Sequence, residues 1–170
     1  SGVLPCADCG WLETSLFLQQ DGTYVLQETY QAAKDGDQTF ASYGSWARTA
    51  DKLVLTDAKG EKRYFHPKDE NLEMLDTSGA PIISSLNYTL KPTQQSLPKT
   101  PMPLTGMMQY SADAASFKDC ATGKVFPMSA SKSLQQGYLA ARKAPNQLVF
   151  VSMDGHFMTE PSMEEGQMQK

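Results

Sequence analysis

The sequence predicts an all-β chain of two domains: an N-terminal up-and-down β-barrel, then a smaller barrel that carries one short helix. Three observations predict it. Short alternating segments rich in β-branched and aromatic residues recur about every ten residues through the first half. Glycine and aspartate punctuate the gaps between them. A proline-rich stretch then separates this half from a second, in which a single run of helical spacing interrupts the strands.

In the first domain, residues 1–91, the expected strands are Trp11–Gln19, Thr23–Tyr30, Thr39–Arg48, Lys52–Thr56, Arg63–His66, Leu72–Leu75 and Ile82–Leu90. Asp21-Gly22, Asp35-Gly36-Asp37, Asp57-Ala58-Lys59-Gly60 and Thr77-Ser78-Gly79 lie between them. Their glycines and Asx residues supply the positive φ angles and local hydrogen bonds that tight hairpins need. Consecutive hairpins make a meander, and closing six or seven strands into a barrel hides the edge that an open sheet would leave exposed.

Residues 92–103 belong to a segment with four prolines between Lys91 and Pro103, a composition that favours extended chain, and read as a linker. In the second domain, residues 104–170, Leu104–Tyr110, Ala115–Asp119 and Val125–Met128 read as strands. Ala121-Thr122-Gly123-Lys124 forms the turn before the third. Lys132–Arg142 follows the capping serines Ser129 and Ser131 and places Leu134, Tyr138, Leu139 and Ala141 at helical spacing. Gln147–Met153 and His156–Thr159, hinged at Asp154-Gly155, read as a last hairpin. A five-stranded Greek-key barrel with a helix after its third strand, the OB arrangement, fits this order. Its fifth strand is expected to be short or incomplete, because Glu160–Lys170 is polar and lacks alternation.

Composition narrows the function. At 170 residues, 40% hydrophobic and 9% aromatic, the chain has material for real cores. The net charge of −4 is uneven: residues 1–92 hold 13 acids against 8 bases, and residues 93–170 hold 6 against 7. No basic stretch with interleaved aromatics marks a nucleic-acid surface, so no nucleic-acid partner is expected. No apolar run approaches the roughly 18 residues of a membrane span. The chain has no initiator methionine, signal peptide or cysteine at position 1, and reads as starting inside a longer precursor whose membrane anchor has been removed.

The sharpest local signal is Cys6-Ala7-Asp8-Cys9. Two cysteines at this spacing can close a small disulfide, hold a soft metal ion or exchange with other thiols. A thioredoxin-type site needs the pair at a helix start, whereas Trp11–Gln19 alternates as a strand. Structural zinc needs four ligands, and the two histidines, His66 and His156, stand far away in sequence. Reduced, the pair suits Cu(I), so copper is the one cofactor to consider; oxidised, it is a small disulfide near the barrel rim. Cys120 makes the count odd and reads as a cysteine whose partner is missing. Met153, His156, Met158, Met163 and Met168 add thioether and imidazole donors near the C-terminus, against the plainer reading of methionine as core filler. Phe17, Tyr24, Tyr30, Phe40, Tyr43 and Trp46 either pack the core, the stronger reading, or line a cavity for a small apolar ligand. Gly-x-Ser-x-Gly, His-Glu-x-x-His and phosphate-cradling glycine loops are absent, and no enzyme is expected.

With these residues in view, the chain resembles the NlpE family of outer-membrane lipoproteins. The likeness is carried by Gly2–Cys9, Glu13–Leu18, Phe40–Asp57, Leu72–Asp76, Asn87–Leu90, Ala112–Lys124 and Tyr138–Arg142. It implies a lipocalin-like barrel joined to an OB-like domain and tethered by a lipidated cysteine to the outer membrane, facing the periplasm. It also implies a stress-sensing lipoprotein that activates the Cpx two-component pathway by contacting its sensor kinase, with roles in copper homeostasis and surface adhesion. Direct copper binding through Cys6 and Cys9 and carriage of a small ligand are the alternatives. The family's C-x-x-C carries over to Cys6 and Cys9; its C-terminal disulfide carries over to Cys120 alone. Gly10-Trp11-Leu12 stands where relatives more often have the glycine one place later. Without its cross-link, worth about 2–4 kcal/mol in typical domains, the second domain is expected to be weaker or to swap segments in a dimer.

Overall fold

A computed structural model of the chain describes residues 1–111, 114–161 and 168–169. The chain divides into two compact units, Ser1–Met102 and Pro103–Lys170.

The first unit is one eight-stranded antiparallel meander: β1 (Gly2–Leu4), β2 (Trp11–Leu18), β3 (Thr23–Gln31), β4 (Gln38–Arg48), β5 (Leu53–Asp57), β6 (Lys62–Lys68), β7 (Asn71–Met74) and β8 (Thr89–Leu90). The glycines of the expected turns adopt the left-handed conformation, with φ of 85° at Gly22 and Gly36, 86° at Gly60 and 83° at Gly79. Asp57 and Asp76 build the same loop. Each carboxylate accepts the N–H groups two and four residues on: Lys59 and Glu61 at 2.8 and 2.9 Å, Ser78 and Ala80 at 2.9 Å each. The Asp76 carboxyl is held below its usual pKa, first by the Ser78 hydroxyl and then by the Ala80 N–H.

The sheet closes on itself. The Ser1 nitrogen donates to Lys91 O at 2.7 Å and Lys91 N–H donates to Ser1 O at 2.8 Å, while Asn87 Nδ2 donates to Val3 O at 2.9 Å. Strand alternation then sends one set of side chains inward. Leu4, Tyr24, Leu26, Leu53, Leu55, Phe65 and Leu90 form the core, with Leu12, Leu16, Trp46, Leu72 and Met74 against it. This filling, rather than an empty interior, is the main driving force for the barrel.

Two details differ from the expected strands. Gly2–Leu4 pairs with Leu12–Thr14 as an additional strand, too short for alternation to announce it. Of Ile82–Leu90 only Thr89–Leu90 is strand, paired with Glu73 and Leu72, and the ladder ends where Met74 N–H donates to Tyr88 O at 2.8 Å. Asn87 also occupies the local backbone: Thr89 N–H donates to its Oδ1 at 3.2 Å. The proline-rich stretch has no regular structure from Pro92 to Pro101, its last two residues, Met102 and Pro103, already being strand, yet it is not loose. Ser15 and Gln27, neighbours across β2 and β3 on the outer face, bond Gln95 and Thr100 at 3.1 and 2.8 Å.

The second unit holds β9 (Met102–Ser111, whose first residue is the last of the first unit), β10 (Ala114–Asp119), β11 (Val125–Met128), α1 (Lys132–Ala141) and β12 (Val149–Gly155), with a short pair β13 (Glu160–Pro161) and β14 (Met168–Gln169). The main sheet has the order β11-β10-β9-β12, the first four strands of an OB barrel. Ser131 caps the helix, its hydroxyl accepting Leu134 N–H at 3.2 Å. Tyr138 is the helix residue that reaches the core, and its hydroxyl donates to Gln147 O at 2.6 Å. The hairpin expected at Asp154-Gly155 is corrected: β12 runs through both residues, and His156–Thr159 is not strand. Gly155 serves packing instead, since a Cβ there would come within 3.1 Å of Leu104 Cδ1.

Candidate functional site

Cys6 and Cys9 lie in the β1–β2 connection, at the barrel end where β3 passes into β4. Gly10 N–H donates to Gln31 O at 2.8 Å and pins this loop to the end of β3. The two sulfurs are bonded to each other, with the α-carbons 5.3 Å apart, and Ala7 and Asp8 between them are exposed. A closed pair offers no thiolate, so in this state it is neither a nucleophile nor a soft metal ligand. His66 is not brought to it. Near the other barrel end, the His66 Nδ1 donates to Asp51 O in the β4–β5 turn at 2.8 Å. Cys120 is a free, exposed thiol in the β10–β11 turn, with its N–H on Thr105 O at 3.0 Å.

The barrel interior carries a polar group that alternation alone did not single out. On β3, Tyr24, Leu26 and Glu28 face inward, and Glu28 is 8% exposed. Arg63, inward-facing on β6 beside the Phe65 position, binds it through both nitrogens at 2.6 and 3.2 Å. Its guanidinium is half exposed, so the pair sits near the barrel mouth rather than in the core. Burial, then the nearby Asp57 carboxylate, pushes the Tyr24 phenol up to about 12; Glu28 adds to this and Arg63 opposes it. The signal in the sequence was an acid on the core-facing parity of a strand between Leu26 and Tyr30.

The aromatic set divides. By register Tyr24, Tyr30, Phe40 and Trp46 face inward, whereas Phe17 and Tyr43 face out. Tyr24 and Trp46 fill the core, and Tyr30 meets Phe40 edge-on at 5.8 Å.

In the second unit, Met153, His156 and Met158 line one cavity of about 690 Å³, together with Met128 from β11, which spacing could not place there. Met163 lies outside the described residues, and Met168 is described only as backbone in β14. Among the described residues no three His, Cys, Asp or Glu side chains gather as a metal cluster, and no helix is long and apolar enough to cross a membrane.

Family models of the NlpE N-terminal domain and the NlpE C-terminal OB domain match residues 1–85 and 98–170. Lipoprotein NlpE of Escherichia coli strain K12 is 56% identical over 165 residues, covering 97% of this chain and 70% of that protein. The crystal structure of the Cpx pathway activator NlpE from Escherichia coli is 58% identical in sequence, covering 94% of this chain and 84% of that one, with a TM-score of 0.46.

Proposed function

Since this chain belongs to the NlpE family of lipoproteins, we propose that it activates the Cpx envelope-stress pathway from a lipid tether on the periplasmic face of the outer membrane. The observation that carries this is the 56% identity to the E. coli lipoprotein through both domains. Its target in this reading is the periplasmic domain of the Cpx sensor kinase.

The barrel geometry supports a protein contact as the working event. Strand β1 runs from Ser1 towards the end that carries Cys6 and Cys9, so chain preceding Ser1 approaches from the other end. A tether there leaves the cysteine end pointing away from its membrane. That end exposes Trp11, and residues 77–90 contain no charged side chain while fully exposing Ile83. Copper capture by Cys6 and Cys9 requires both sulfurs as thiolates, and they are bonded to each other. Copper homeostasis and adhesion therefore follow from signalling in this reading.

The test is a Cpx-responsive reporter in E. coli cells without their own NlpE, producing the lipidated full-length form of this protein. Reporter output should rise several-fold over cells with empty vector, and a Cys6→Ser, Cys9→Ser form should retain the rise. A reporter that stays at baseline while folded protein accumulates in the envelope would sink the proposal.

A further inference from the structure

Methionine plays two different parts from β9 onward. Met102 and Met108 are 1% and 0% exposed, and their thioethers serve as core filler. Met128, Met153 and Met158 instead border the cavity of about 690 Å³, whose apolar wall includes Leu104, Phe117 and Phe126. Met128 and Met153 are half-buried and Met158 is 49% exposed, so their side chains are reachable from solvent. His156 borders the same cavity. Its state contrasts with that of the other histidine: the His66 ring is tied to Asp51 O, whereas His156 has no hydrogen bond or ion pair among the described residues.

Thioethers are neutral, polarisable donors that bind soft d10 cations and compete poorly for hard ones, while imidazole suits both soft and borderline metals. Three thioethers and one imidazole bring no charge of their own. Such a set leaves a bound monovalent cation with a single positive charge, which a carboxylate of Asp154 or Glu160 at the same cavity would balance. Divalent zinc is poorly served by a single imidazole and no thiolate. The cysteines do not compete within the cavity: Cys6 and Cys9 are bonded to each other, and Cys120 precedes β11 whereas Met128 ends it.

We propose that the C-terminal unit binds one soft monovalent metal ion, Cu(I) or its redox-inert counterpart Ag(I), through the Met128, Met153 and Met158 sulfurs and the His156 ring. The experiment uses the full chain with the Cys6–Cys9 bond intact and Cys120→Ser, which removes the free thiol. Ag(I), and Cu(I) under anaerobic conditions, are titrated against a competing chelator while the methionine methyl groups are followed by NMR. One equivalent should bind and shift the methyl signals of Met128, Met153 and Met158, leaving Met102 and Met108 unmoved. Methionine and leucine have similar volumes, so Met153→Leu and Met158→Leu should fold normally yet bind about tenfold more weakly or worse. His156→Gln should weaken binding as well. The proposal is overturned if the chelator strips the metal at equimolar concentration, if other methionines shift instead, or if the folded leucine variants keep the parent affinity.

Discussion

At the scale of single residues, the barrel interior links stability to alkaline pH. Tyr24 is 3% exposed and its phenol is pushed up to about 12, from an ordinary value of 10.0. A pKa raised in the folded state means that the folded protein holds its proton where the unfolded chain releases it. The stabilisation is complete below about pH 10 and is lost as pH rises through about 12, up to about 2–3 kcal/mol in total. Urea titrations between pH 9 and 12 should show this decline, and Tyr24→Phe should flatten it. Thr14 makes the opposite contribution. It is 2% exposed on β2, opposite Glu28, and its hydroxyl oxygen has no hydrogen-bond partner among the described residues. Thr14→Val removes that unsatisfied group at nearly constant shape, so stability should rise by about 1 kcal/mol; a loss in the same urea experiment would mean the hydroxyl has a bound water.

At the scale of elements, two glycines separate conformational strain from collision. Gly60 turns the β5–β6 hairpin at a φ of 86°, with open space where a Cβ would stand. Gly60→Ala should cost about 1 kcal/mol, all of it backbone. Gly106 on β9 has no such φ, but a Cβ there would run into Lys118 O and the Phe117 ring. Gly106→Ala should cost about 3 kcal/mol, read in each case as the shift of the denaturation midpoint. The same contrast explains which elements were legible. Glycines followed by alternating residues revealed the hairpins, since a left-handed turn and a period of two leave a local record. The extension of β12 through Gly155 left none, because that glycine answers to Leu104, 51 residues earlier in the chain. Likewise Ile82–Asn87 has β-forming composition but lies in no strand, and composition carries no information about partners. At the candidate sites, Cys6 and Cys9 were visible as a pair, whereas Glu28–Arg63 and the place of Met128 depended on register and tertiary approach.

At the scale of the whole molecule, the two units carry separate reporters. Both tryptophans, Trp11 and Trp46, belong to the barrel. Reducing the Cys6–Cys9 bond frees a very small loop, so the barrel should lose at most about 2 kcal/mol. Tryptophan fluorescence should record that loss, while the near-ultraviolet signal of Tyr110 and Tyr138 in the second unit stays where it was. The seam between Ser1 and Lys91 has a mechanical consequence as well. In an eight-strand antiparallel meander β1 and β8 run in opposite directions, so chain enters before Ser1 and leaves after Lys91 at the same end. Tension between those two points does not travel around the barrel wall; it peels the seam open one hydrogen bond at a time, which makes this junction the first part of the domain to yield to a pull.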